Sequence, residues 1–243
     1  MRMRTSKELQ DRLQELFPVH YRNGNILMIN ADCMEVMKHI QDNEAELSCV
    51  DPPYGIGIST WDSAIPPRVY FNELFRVSKN QIIWGGNYFN LINNSNFIVW
   101  NKKPFLKTQN ECEIAYCSLQ KTNTVYDYQY AGNFENGKVD YQKEKLIHIC
   151  QKPVALYKWL LSRYAKPGDK ILDTHGGSGS ICIACHDLGY DLTWMELDED
   201  YYKAAVERYK NHAAQATLFD PAELTKATET TPELFSDGSE AEE

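Results

Sequence analysis

The sequence predicts an α/β protein built on a mostly parallel sheet. Three observations carry that reading. Short apolar runs alternate with helix-like stretches at both ends of the chain, two apolar runs in the middle follow each other with no helix between, and a glycine-rich turn at 173–180 joins a strand to a helix.

The elements follow in order. Residues 6–17 (SKELQDRLQELF) place leucines at 9, 13 and 16, a helical spacing behind a start signal at Ser6. The apolar runs NILMIN (25–30), LSCV (47–50) and QIIWGG (81–86) read as strands, separated by the helix-like MEVMKHIQ and VYFNELFRVS. NFIVW (96–100) and CEIAYCS (112–118) have no helix between them and predict the antiparallel edge of a mixed sheet. From 119 to 147 the chain is polar, rich in tyrosine and asparagine, and weakly periodic. A long irregular segment of this kind is usually functional or disordered, and its aromatics (Tyr126, Tyr128, Tyr130, Phe134, Tyr141) argue against disorder. VALYKWLLSRYAK then predicts a helix stopped by Pro167 and Gly168, followed by strand KILD, helix ICIACHDLG, strand DLTWMELD and helix YYKAAVERYKNH.

Composition narrows the class. The chain has 243 residues, 43% of them hydrophobic, which is ordinary for a globular protein. It has no run of about 18 apolar residues to span a membrane, and MRMRTSKELQ lacks the apolar stretch of a signal peptide. A cytoplasmic protein is expected. Seven cysteines are an odd number without repeated pair spacing, so reduced thiols are expected. Cys182 and Cys185 form a C-x-x-C, but ICIAC reads as one buried helix face and no second C-x-x-C exists, so no metal is expected. The net charge of −9 is uneven: residues 220–243 hold eight acidic residues and one lysine, and the body before them is close to neutral. A near-neutral body excludes binding to nucleic acid through charge alone.

DTHGGSGS ends a strand and opens a helix, the place where α/β sheets bind nucleotides. Glu196 ends the next strand, 23 residues after Asp173, a separation suited to ribose hydroxyls. The turn lacks both the full G-x-G-x-x-G of a pyrophosphate cradle and the G-K-S/T of a triphosphate site. A nucleoside without a diphosphate fits better, and S-adenosylmethionine is one. The plain alternative is a tight turn at Gly177 and Gly179 with Glu196 capping a strand.

Asp51 ends LSCV and is followed by Pro52, Pro53 and Tyr54. The prolines lack N–H groups and fix φ, which leaves strand-end carbonyls without backbone partners. Asp51 and the Pro52 carbonyl can then accept from one exocyclic amine while Tyr54 offers a face to a base. Such a site draws an amine's lone pair out of its ring by positioning, with no strong general base.

These motifs resemble those of the amino-methyltransferases that modify adenine N6 or cytosine N4 in DNA. D-P-P-Y at 51–54 resembles their catalytic motif, D-x-x-x-G-S-G at 173–179 their cofactor loop, and Q-K-P at 151–153 the segment before that loop. The permuted order, catalytic motif first, is similar to the β class, and the resemblance covers about residues 25–212. It implies a Rossmann-like S-adenosylmethionine-dependent methyltransferase fold with a mostly parallel seven-stranded sheet holding one antiparallel strand. It assigns the flipped base to Asp51, Pro52, Pro53 and Tyr54. The cofactor falls to Asp32, Asp173, Gly177, Ser178, Gly179 and Glu196, with Lys152 at its carboxylate and Asn87 at the site floor. His175, Gly176 and Cys150 depart from the residues common in relatives. Adenine is favoured because cytosine-N4 members more often carry serine in place of Asp51. The implied function is site-specific adenine-N6 methylation of double-stranded DNA in a bacterial or phage restriction-modification setting. The alternatives are cytosine-N4 or RNA adenine methylation, or a non-catalytic DNA-binding protein of the same fold.

A paired base must be flipped out to react. The segment 101–147 is the expected target-recognition insertion, with Lys102, Lys103, Lys107, Tyr126, Tyr128 and Tyr130 as substrate-binding candidates. Residues 1–24 are expected to be a helical extension, 25–212 the methyltransferase domain, and 213–243 an acidic flexible tail. Gln215, Leu218 and Phe219 in QATLFD are similar to the short peptide that docks bacterial proteins on the replication sliding clamp. A homodimer is a further expected assembly.

Overall fold

The computed structural model describes residues 6–91, 97–103, 110–119, 122–131, 134–135, 138–139 and 147–218. Helix α1 (Ser6–Leu16) leads into strand β1 (His20–Asn23), β2 (Ile26–Asn30), α2 (Cys33–Met37), β3 (Ala45–Val50), α3 (Arg68–Val77) and β4 (Ser78–Trp84). Strands β5 (Phe97–Asn101), β6 (Cys112–Cys117) and β7 (Thr124–Asp127) come next. Three two-residue strands, β8 (Tyr130–Ala131), β9 (Phe134–Glu135) and β10 (Lys138–Val139), form a small separate sheet. The chain then runs through α4 (Val154–Tyr164), β11 (Lys170–Asp173), α5 (Ser180–Leu188), β12 (Asp191–Glu196) and α6 (Glu199–Leu218).

Among the described residues the main sheet has nine strands in the order β1-β2-β12-β11-β3-β4-β6-β5-β7. Strands β2, β12, β11, β3 and β4 are mutually parallel. Strand β6 is antiparallel to both β4 and β5. The expected seven strands with one antiparallel member are therefore present, flanked by two more: β1 pairs antiparallel with β2, and β7 pairs parallel with β5. The pair expected at the sheet edge lies inside it, because β6 inserts between β4 and β5 and β7 covers β5. The segment 119–147, read as irregular, contributes that edge strand and the small sheet.

The central strands are buried on both faces, which is why they read as unbroken apolar runs. Ile26 and Met28 pack with α4, α5 and α6, while Leu27 and Ile29 pack with α1, α2 and α3. Each fully buried side chain of this type contributes roughly 1.5–3 kcal/mol. Cys182 and Cys185 lie in the first of these clusters, on α5. Within the expected N-terminal extension, Leu9 and Leu13 of α1 are buried in the second cluster and β1 joins the sheet. Helix α6 runs to Leu218, past the boundary expected at 212, because the alanine-rich AAQATL is a strong helix former.

The layering positions the site. Strand β3 leads to α3 on one face, and its neighbour β11 leads to α5 on the other. Helices that leave adjacent parallel strands for opposite faces open a crevice at the strands' carboxyl ends. Asp51 follows β3 and the glycine turn follows β11, so both open into that crevice.

Candidate active site

A cavity of about 1010 Å³ fills the crevice. A single ligand typically takes a pocket of roughly 300–1,000 Å³, so this one accommodates a cofactor and a base together. Its wall brings together two groups of residues more than 120 positions apart: Asp32, Asp51, Pro52, Pro53 and Tyr54 on one side, Gly177, Ser178 and Glu196 on the other.

At the base end, Asp51 accepts from the Tyr54 hydroxyl at Oδ1, at 2.6 Å, and from the Lys152 ammonium at Oδ2. A carboxylate offers about four lone-pair positions, so two remain for a substrate amine. Tyr54 is held in place by its surroundings. Its ring stacks on Tyr88 with centroids 5.0 Å apart. Gly85, with φ +71°, lies against the same ring, and a Cβ there would come within 2.3 Å of it. That contact explains the glycine after Trp84 in WGG. The loop after Tyr54 is closed by Asp62, which is 1% exposed. Asp62 Oδ1 accepts from the Tyr54 and Gly55 N–H groups at 2.7 and 2.9 Å, and Oδ2 from Ile56 and Ile58 at 3.2 and 3.3 Å.

At the cofactor end, Glu196 accepts from the Gly177 N–H at 2.7 Å with one oxygen and from the Asp198 N–H at 2.9 Å with the other. Each oxygen keeps a lone pair, which suits a diol. Burial raises the Glu196 carboxyl above its ordinary range. Asp32 caps α2 by accepting from the Met34 N–H at 2.8 Å and still lines the cavity. The donors, the bare Gly176–Gly177 backbone and the room available fit an adenosyl ligand lacking phosphates. Above Gly177 the His148 ring lies between Trp61 and Tyr201, with centroids 5.2 and 4.5 Å away. Burial lowers His148, so it is neutral at ordinary pH.

Asp173 and Gly179 are one layer behind the wall rather than on it. Asp173 is 2% exposed and accepts from the His175 N–H at 3.1 Å. Burial outweighs that hydrogen bond and, with Asp51 and Glu196 adding, pushes Asp173 up to about 8. Gly176 has a local reason to be glycine: a Cβ there would lie 1.8 Å from the Trp194 ring.

The other candidate residues are placed as follows. Lys152, expected at the cofactor carboxylate, pairs with Asp51 and Glu113 instead. Asn87 is exposed and outside the cavity wall. Tyr126 stacks on Trp159 of α4 at 4.6 Å and on Tyr128 at 5.7 Å, so stacking occupies the faces of Tyr126 and one face of Tyr128. Of the three tyrosines, only Tyr130 lines the cavity. Lys103 pairs with Asp127 at 3.0 Å on the surface, and Lys102 pairs with Glu113 at the cavity. Lys107 lies outside the described residues. Glu113, Asp62, His148 and Tyr201 were not singled out from the sequence. A lone acidic residue in the apolar strand CEIAYC was the available signal for Glu113.

A sequence model of the DNA methylase family matches residues 69–207, more than half of the chain, from α3 to α6. The YubD protein of Escherichia coli (strain K12) is 25% identical over 74% of this chain and 88% of its own. The type II methyltransferase M.HpaI of Haemophilus parainfluenzae is 21% identical over 74% of this chain and 73% of its own. Among solved structures, the PvuII DNA methyltransferase, described as cytosine-N4-specific, superposes with a TM-score of 0.58 at 11% identity, covering 81% of this chain and 94% of that one. The M1.HpyAVI complex with S-adenosylmethionine gives 0.51 at 18% identity over 75% of this chain and 99% of that one. The chain thus belongs to the N6/N4 DNA methylase family, as a DNA methyltransferase whose cofactor is S-adenosylmethionine.

Proposed function

We propose that the chain methylates N6 of an adenine flipped out of double-stranded DNA. One observation carries the reading: the Asp51 carboxylate, fixed on both oxygens, opens its remaining lone pairs into the cavity that Gly177 and Glu196 also line. S-adenosylmethionine supplies an electrophilic methyl group when bound. Glu196 and Asp32 hold the nucleoside end of that ligand, and Gly177 and Ser178 let it approach the backbone. Asp51 and the Pro52 carbonyl accept the two amine N–H bonds, drawing the nitrogen towards sp³ so that its lone pair leaves the ring. The prolines keep this acceptor pair rigid, and most of the rate arises from positioning. The adenine assignment rests on Asp51, where cytosine-N4 relatives more often carry serine. The test is to incubate the protein with DNA and methyl-labelled S-adenosylmethionine, digest to nucleosides and identify the labelled one by mass spectrometry. N6-methyl-2′-deoxyadenosine that vanishes with Asp51→Ala is expected. N4-methylcytosine would overturn the base assignment, and no labelled nucleoside would overturn the reaction.

The peptide from Gln215 to Phe219 is the proposed sliding-clamp contact. Gln215 is exposed near the end of α6, and Phe219 lies outside the described residues. Leu218→Ala with Phe219→Ala should abolish clamp pull-down and spare methylation; unchanged pull-down would remove the idea. The segment 101–147 remains the proposed target-recognition region, with Lys102, Glu113 and Tyr130 as its links to the cavity.

A further inference from the structure

We propose that Lys152, seated by Glu113, is a positioning residue that fixes Asp51, and that it serves the base side of the cavity rather than the cofactor. This inference rests on the reaction at Asp51 proposed above.

The geometry is specific. Lys152 is 4% exposed. Its ammonium ion-pairs with Asp51 Oδ2, lies 3.1 Å from Glu113 Oε2 and donates to the Tyr54 hydroxyl at 3.4 Å. The Trp84 ring covers it at 5.3 Å. An ammonium has three N–H bonds and no acceptor. Asp51 and the Tyr54 hydroxyl accept from it, and the Glu113 carboxylate lies within ion-pair range on another side, so a ligand's carboxylate would meet two carboxylates already there. Burial alone would lower the Lys152 ammonium, and the two carboxylates outweigh it and raise it, so the charge is permanent.

Glu113 in turn pairs with Lys102. Charges therefore alternate from Asp51 through Lys152 and Glu113 to Lys102, and the cluster is neutral. This arrangement has a mechanical consequence. Asp51 is gripped at Oδ1 by Tyr54 and at Oδ2 by Lys152, so its plane cannot rotate. The lone pairs left over point where the fold sets them. Misplacing a reacting group by about 1 Å can cost on the order of a hundredfold in rate.

The experiment compares wild type, Lys152→Met and the double variant Lys152→Met with Glu113→Gln. The single variant leaves two carboxylates facing each other without a cation and may be read only by its melting. The double variant restores neutrality. Thermal melting reports folding, calorimetry gives the Kd for S-adenosylmethionine, and single-turnover methylation at saturating DNA and cofactor gives the rate. Expected for the double variant are a cooperative melt, a cofactor Kd within threefold of wild type and a rate lowered about a hundredfold. A rate lowered less than tenfold would overturn the proposal, because neutralising Glu113 would then be all that Lys152 does. A Kd raised tenfold or more would also overturn it, by placing the lysine on the cofactor. Should the double variant not melt cooperatively, Glu113→Gln alone is read: a rate lowered fivefold or more at unchanged Kd is expected, and a smaller loss overturns the proposal. Wild type without activity would instead refute the underlying reaction.

Discussion

Removing the Asp62 carboxylate should free the loop that carries Tyr54. Asp62→Ala deletes four acceptor contacts, two of them at 2.7 and 2.9 Å from the Tyr54 and Gly55 N–H groups. Hydrogen bonds to a charged group contribute about 1.5–3 kcal/mol each. The two short bonds then come to about 3–6 kcal/mol, and the longer pair to Ile56 and Ile58 adds less. For a chain of this length about 1 kcal/mol shifts Tm by roughly 2–4 °C, so a global effect should lower Tm by on the order of 10 °C. A loop that lifts off by itself would leave Tm in place. Tyr54 would then lose its backbone anchor, and the exposed residues Ile56 and Ile58 would become sites of proteolytic cleavage. Melting, limited proteolysis and single-turnover methylation separate the two outcomes. Asp62→Asn keeps the shape and one acceptor oxygen but sets an NH₂ against two N–H donors, so it should fall between wild type and alanine. A Tm within about 2 °C, unchanged proteolysis and a rate within twofold for Asp62→Ala would together refute the reasoning.

Two further predictions follow from the cofactor loop. Asp173 is raised to about 8 in the folded protein, against about 3.9 when unfolded, so the native state holds the extra proton. Wild-type stability should therefore fall as pH rises through the window from about 4 to 8 and level off above it. Asp173→Asn does not titrate, so its Tm should gain on wild type across that window; parallel curves from pH 5 to 9 would rule this out. Gly176→Ala drives a methyl group into the Trp194 ring, which is fully buried and cannot retreat. Overpacking of this kind costs about 1–3 kcal/mol. Trp194→Phe should recover part of the loss, and a double-mutant cycle with no coupling between the two sites would contradict the contact.

The strands that hold the site were legible because of where they lie. NILMIN, LSCV, KILD and DLTWME are central and parallel, so both of their faces are apolar and the runs stand out. HYRN and TVYD are edge strands with one wet face and short polar sequences; only pairing with β2 and β5 makes them strands. The site divides in the same way. Asp51, Asp32, Glu196 and the glycine turn are marked by their position at strand ends, a local signal. Glu113 matters through Lys152, and Lys152 through Asp51, 101 positions away, so their roles arise only in the folded chain. Lys152 sat in the recognised Q-K-P, but that motif carries no information about which side of the cavity the ammonium faces. Tyr126 and Tyr128 show the converse: composition marks aromatics but cannot say that Tyr126 stacks between Trp159 and Tyr128.

The cavity's charge ties these residues to what it admits. Its wall holds the carboxylates of Asp32, Asp51, Asp62, Glu113, Glu196 and Asp198 against the two ammonium groups of Lys102 and Lys152. The two histidines on the wall are lowered by burial, His175 to about 4, so they add no positive charge near neutral pH. Such a wall attracts a cationic sulfonium ligand and tolerates a neutral base, but it repels phosphate. A flipped nucleotide can thus insert its base while its phosphates stay at the rim. The lysines nearest the site are already paired with Asp51, Glu113 and Asp127, so they are poorly placed to hold the DNA backbone. On the reaction proposed above, phosphate contacts are expected to come from outside the cavity, which would keep the base-binding and backbone-binding surfaces apart.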